Sequence, residues 1–102
     1  MEHVVYNELD WEINSNTDQK KYVIWENNDG GGTRYWKVPK GTGFPNHSHK
    51  GYEHIFVLDG VMDFSGQVLE KGDCLLTAKD EEHEAFALED SVILVVAEKG
   101  NP

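Results

Sequence analysis

Short runs rich in Val, Ile, Tyr, Trp and Phe recur along the chain, each closed by glycine or by acidic and amide residues. They are LDWEI, KKYVIWEN, TRYWKVP, FPNHSH, EHIFVLDG, VMDFSG, GDCLLTA, EAFALED and SVILVVAEKG. Such runs read as β-strands bounded by turns. No long period of 3.6 competes with them, so helix is not expected. NNDGGG, at 27–32, predicts a hairpin turn between two strands, because Gly, Asn and Asp tolerate positive φ. Many short strands spaced by roughly 8–12 residues point to a small β-sandwich or barrel. With no internal repeat or linker, residues 1–102 are expected to form a single domain, with a frayed tail at 101–102.

Composition narrows the setting. A chain of 102 residues, 38% apolar and 27% charged, suits one soluble globular core and excludes a second domain. The longest apolar run, 92–97, is far short of the roughly 20 residues that cross a bilayer. The opening MEHVVYNELD has neither a basic start nor an apolar signal segment, so a cytoplasmic location is expected. Nine basic against nineteen acidic residues give a net charge of −10, which repels nucleic acid and anionic membranes; neither is expected as a partner. The acidity itself selects no substrate, since it serves solubility equally well. Cys74 is the sole cysteine, which rules out an intrachain disulfide and a cysteine-rich zinc site. Any metal must be held by nitrogen and oxygen.

Three of the five histidines fall within residues 41–60. Alternation along a strand places His47 and His49 on one face, about 6–7 Å apart along the backbone. After the turn-like KGY, Glu53 opens a strand that is expected to fold back antiparallel and bring its carboxylate beside them. His83 starts another strand after an acidic turn. Two imidazoles, a carboxylate and a distant third imidazole suit a divalent first-row metal: iron, manganese, nickel, zinc, copper or cobalt.

These residues resemble the cupin superfamily. Gly41, His47, His49, Glu53 and Gly60 fit every defined position of its first motif, Gly-x5-His-x-His-x3-Glu-x6-Gly. The second motif, Gly-x5-Pro-x-Gly-x2-His-x3-Asn, is partly kept: Gly72 and His83 are in place, while Ala78, Asp80 and Ala87 stand for its Pro, Gly and Asn. The substitutions touch turn geometry and leave the ligand itself. Within the superfamily the chain is most similar to ChrR-type cupin domains and small cupin dioxygenases. The helical zinc-binding domain of a full ChrR-type anti-sigma factor has no counterpart in it. The resemblance implies an antiparallel jelly-roll β-barrel of six to eight strands, often a homodimer, with a metal in its mouth held by His47, His49, Glu53 and His83.

Three functions follow. One is a metal-dependent dioxygenase acting on a small dicarbonyl or phenolic ketone, with Glu53 as the catalytic base. A second is a non-catalytic, metal-dependent sensor of a small-molecule ligand. The third is a structural dimer stabilised by its metal. Other residues carry less. His54 follows Glu53 and should face outward, and His3 has no assigned role. Cys74 reads as a small buried residue, with a redox-sensitive thiol facing the cavity as the alternative. Phe44 and Tyr52, near the ligands in sequence, are expected to line the pocket, while the other aromatics divide between core and wall. The NHS acceptor pattern at 46–48 is attributed to chance.

Overall fold

The structure, a computed structural model, describes residues 1–100; the frayed tail expected at 101–102 lies outside them. After a short 3-10 turn, Tyr6–Glu8, come β1 (Glu12–Ile13), β2 (Lys20–Glu26), β3 (Gly30–Val38), β4 (Gly43–Ser48) and β5 (Glu53–Asp59). Then follow β6 (Val61–Phe64), β7 (Gln67–Glu70), β8 (Cys74–Thr77), β9 (Glu82–Ala87) and β10 (Ser91–Lys99). The hairpin predicted at NNDGGG joins β2 to β3, and its last three glycines already belong to β3.

All strand pairs are antiparallel, and the strands form two sheets in jelly-roll fashion. One sheet runs β1-β2-β3-β10-β5-β8 and the other β4-β9-β6-β7. The all-β class therefore holds, with two adjustments. Ten strands replace the expected six to eight among the described residues. The sheets also face each other as a sandwich, with no ladder among the described residues closing them into a barrel. Sheets of six and four strands differ in width by about 10 Å, so their edges do not meet on both sides.

Burial follows the two-residue period wherever a strand covers the interior. In β5 Glu53, Ile55 and Val57 are buried; in β9 His83, Ala85 and Ala87; in β10 Ser91, Ile93 and Val95. His54 is exposed on the outer face, as predicted, against the ring of Phe56. Phe64, Met62, Ile93, Val38 and Val57 are the largest buried side chains, and Trp36, Phe44 and Leu75 pack against their cluster. Removal of such area from water, at roughly 25 cal/mol per Å², is the main force holding the sheets together.

The chain passes from β5 in one sheet to β6 in the other through Gly60, whose φ is 87°. A Cβ there would run into the carbonyl of Asp90 and the hydroxyl of Ser91. That hydroxyl accepts a hydrogen bond from the Val61 amide at 3.1 Å, so the obstacle is itself part of the crossing. Gly66 has a similar φ of 95° but open space around it. Gly60→Ala is expected to lower the unfolding free energy by at least about 2 kcal/mol, against about 1 kcal/mol for Gly66→Ala. Urea titrations of the two variants measure the difference.

Candidate metal centre

His47 and His83 are direct cross-strand partners in the β4–β9 ladder. The register explains how they come to share a face with the cavity wall. Phe44 pairs with Ala85 and His47 with His83, so β4 uses three residues where β9 uses two. The extra residue makes a β-bulge at Pro45 and Asn46, a position that suits proline because part of the ladder is given up there. In a regular strand residues 44 and 47 would point to opposite faces; the bulge turns both inward. His49 follows the end of β4, two residues beyond His47, and is buried.

The turn preceding β9 is tied to this segment, because the Asp80 amide donates to the His49 carbonyl at 2.9 Å. Asp80 occupies the glycine position of the second motif and has a φ of 68°. Asp is among the few residues that adopt this left-handed conformation readily, so the replacement preserves the backbone path. The Glu81 carboxylate closes the turn by accepting from the Ala78 amide at 2.8 Å.

Glu53 reaches the histidines by a route other than the one expected. Its strand does not fold back beside β4: β5 lies between β10 and β8 in the opposite sheet. The carboxylate instead crosses the interior from the inner face of that sheet. Glu53 Oε2 lies 3.1 Å from His49 Nε2, and Oε1 lies 3.8 Å from His83 Nε2. His49, Glu53 and His83 are all about 95% buried, and His47 is partly so.

The three imidazoles each offer a nitrogen, all within 4.8 Å of one another. His47 Nδ1 donates to the Pro45 carbonyl at 2.7 Å, which fixes the tautomer that leaves Nε2 with its lone pair. His49 Nδ1 and Nε2 and His83 Nδ1 are buried with no hydrogen-bond partner among the described residues. The close approach of Glu53 to His49 Nε2 therefore lacks the alignment of a hydrogen bond. Burial lowers the pKa of His83, the charge of a neighbouring His47 lowers it further, and Glu53 opposes both. Buried imidazole nitrogens without hydrogen-bond partners, beside one carboxylate, fit a divalent cation, which would accept their lone pairs and neutralise the acid.

A cavity of about 320 Å³ opens from these residues, lined by Trp36, Phe44, Phe64, Ile55, Ile93 and Val95. Phe44 lines it as predicted, in edge contact with Trp36 at 4.9 Å. Tyr52 does not: residue 52 precedes β5 one step out of phase with Glu53, and its ring is half exposed. Cys74 is exposed, so it is neither buried nor turned to the cavity; it pairs with Phe56 on the outer face of its sheet. His3 is exposed as well. Two cavity residues, Arg34 and Lys99, escaped the sequence reading. The signal was available in parity, since Arg34 stands two residues from Trp36 and four from Val38 on one strand face.

A two-sheet antiparallel jelly roll with three histidines at the mouth of its interior defines a small cupin. The family model of the ChrR cupin-like domain matches residues 1–100, and the chain belongs to that family. Solved structures agree on the fold. KdgF from Halomonas sp. superposes with a TM-score of 0.77 at 21% identity, covering 94% of this chain and 92% of its own. An acetylacetone dioxygenase from Acinetobacter johnsonii gives 0.82 at 14% identity, covering 95% and 74%. The anti-sigma ChrR of Rhodobacter sphaeroides, in complex with SigE, gives 0.79 at 20% identity over 92% of this chain and 52% of that one. No curated protein matches in sequence.

Two outcomes are expected in solution. Dialysed against zinc or iron(II), the protein takes up one ion per chain, and His49→Ala or His83→Ala weakens uptake by at least about 100-fold, as measured by competition with a chelator. Without metal, stability falls as the pH drops through about 6.5, because the unfolded chain then protonates a histidine that the fold keeps neutral at position 83. Urea unfolding of chelator-treated protein at pH 7.5 and 5.5 checks the second, and His83→Asn should flatten the dependence.

Proposed function

We propose that the chain is a metal-dependent cupin whose His47, His49, His83 and Glu53 hold a divalent transition metal, and that it acts as a dioxygenase on a small dicarbonyl or phenolic ketone. The observation that carries this reading is the position of the donor set, at the end of an apolar cavity open to solvent. Three neutral imidazoles and one carboxylate leave a net positive charge on a divalent ion and one to three positions for other ligands, whereas a structural site would be closed. When bound, such an ion supplies polarisation of a substrate oxygen and, if redox-active, the reaction with dioxygen.

The chain's own contribution is positioning and proton transfer. Trp36, Phe44 and Phe64 enclose the carbon skeleton and keep water from it. Glu53, set between two imidazoles, accepts the proton from the carbon that separates two carbonyls and later returns it to the products. In the overall change one carbon–carbon bond breaks and each new end gains one atom of the same O₂, so no external reductant is needed. The likeness to an acetylacetone dioxygenase supports this choice of substrate class.

The likeness to ChrR supports a second reading, a non-catalytic sensor in which a bound small molecule alters a protein-facing surface. In either reading the chain works as one domain, in a reducing compartment compatible with a lone exposed thiol. It pairs with a second copy through an apolar outer face that includes Leu58 and Leu76.

Oxygen uptake by iron(II)-loaded protein with a panel of 1,3-dicarbonyls and hydroxyacetophenones decides between the readings. The enzyme consumes one O₂ per substrate lost, and Glu53→Gln slows it by about 10²- to 10⁴-fold at matched iron content. A flat trace, with one of the same compounds raising the melting temperature, selects the sensor.

A further inference from the structure

Arg34 stands at an inward-facing position of β3, between Val23 of β2 and Val95 of β10 and in line with Trp36 and Val38. Its side chain is 20% exposed and lines the cavity. The contacts it makes are long: Nη2 lies 3.4 Å from the Gly30 carbonyl and 3.6 Å from Oε1 of Glu26, whose own side chain is 56% exposed. A pair of that kind holds a guanidinium weakly. Nε is buried with no partner among the described residues. A buried donor of a charged group is costly to leave unpaired, so this one is free to bond an acceptor on a bound molecule. Lys99, opposite Gly30 on the inner side of β10, brings a second cation to the same cavity. Two of the nine basic residues in a chain of net charge −10 thus gather around one opening.

The sheet register relates this end of the cavity to the histidines. Glu53 pairs with Ala97, and Val95 pairs with Arg34 on its other side, so Arg34 lies two strands across and one inward-facing step along from Glu53. Those offsets put their Cα atoms about 12 Å apart. Both side chains enter the same cavity of about 320 Å³, which Trp36 and Phe44 also line.

We propose that the molecule this cavity takes is a small organic acid. Its planar carboxylate lies along the Nε and Nη edge of Arg34 with Lys99 as a second counter-charge, and its carbonyl or hydroxyl end points at the histidine cluster. This assignment rests on the reading of the histidines as a metal site for its second half only; the carboxylate half stands on Arg34. A guanidinium recognises a planar two-oxygen anion through two parallel hydrogen bonds, which a lysine ammonium cannot reproduce.

Phenylpyruvate and its methyl ester differ in that one charge and serve as probes. Calorimetric titration of zinc-loaded protein should give at least about tenfold tighter binding of the acid. Arg34→Gln should erase that preference while leaving the ester unchanged, and Arg34→Lys should restore part of it. The same acid-to-ester ratio is then measured on chelator-treated protein. A preference that persists there while overall affinity falls supports both the carboxylate site and the metal site. A persisting preference with no effect of chelation supports the carboxylate site and overturns the metal reading alone. Equal binding of acid and ester by the wild-type protein, or binding of neither, overturns the proposal without needing any variant to fold. So does an equal loss for both probes in Arg34→Gln.

Discussion

The arrangement of this molecule depends on a single additional residue in β4. A strand alternates its side chains strictly, and a slip of one position exchanges the buried face for the exposed one. By inserting one residue at Pro45 and Asn46, the chain can present Phe44 to the cavity and still present His47 opposite His83. Without the bulge, an inward Phe44 would send His47 to solvent, and the three imidazoles would not meet. The carbonyl of Pro45 then returns to hold His47 Nδ1, so the residue that breaks the ladder also fixes the orientation of the ring it admits.

Four polar side chains converging inside an apolar sandwich would be expected to oppose folding. Burial penalises each charge, and nitrogens without partners forgo the hydrogen bonds they make in water. Glu53 is nearly as buried as the core aliphatics beside it, and its carboxylate oxygens lie 3.1 Å from His49 Nε2 and 3.8 Å from His83 Nε2. The site is therefore stable chiefly with something cationic in it, and burial disfavours the protonated form of His83. A divalent ion meets both demands together. The stability of the fold and the occupancy of the site are in this way linked quantities.

The strands were legible because each carries a short apolar run between turn residues, and the sheet faces follow from their alternation. His47 and His49 were legible from alternation along a strand, and His83 from the likeness to the second cupin motif. What could not be read was long-range placement. The return of β5 beside β4 was inferred from nearness in sequence, yet the connection from β4 to β5 crosses from one sheet to the other, and Glu53 arrives across the interior. Tyr52 was misplaced for the same reason, since proximity to Glu53 along the chain says nothing about phase. Cys74 was judged by the usual burial of cysteine, while its position on the outer face of β8 decided otherwise.

The losses in the second motif bear on how strictly such a site constrains its scaffold. Pro, Gly and Asn are replaced by Ala78, Asp80 and Ala87, and the backbone still delivers His83 opposite His47. Asp80 keeps the left-handed turn that glycine would supply, and its amide holds the His49 carbonyl. Ala87 is fully buried against the core, and its amide and carbonyl bond to Thr42 and Gly41. What the fold requires at these positions is a backbone conformation and a set of main-chain hydrogen bonds. Several side chains satisfy that requirement, whereas the donor nitrogens at 47, 49 and 83 have no such substitutes. Sequence divergence in this region is therefore free to alter the side chains of the turn, while the backbone that brings His83 opposite His47 is kept.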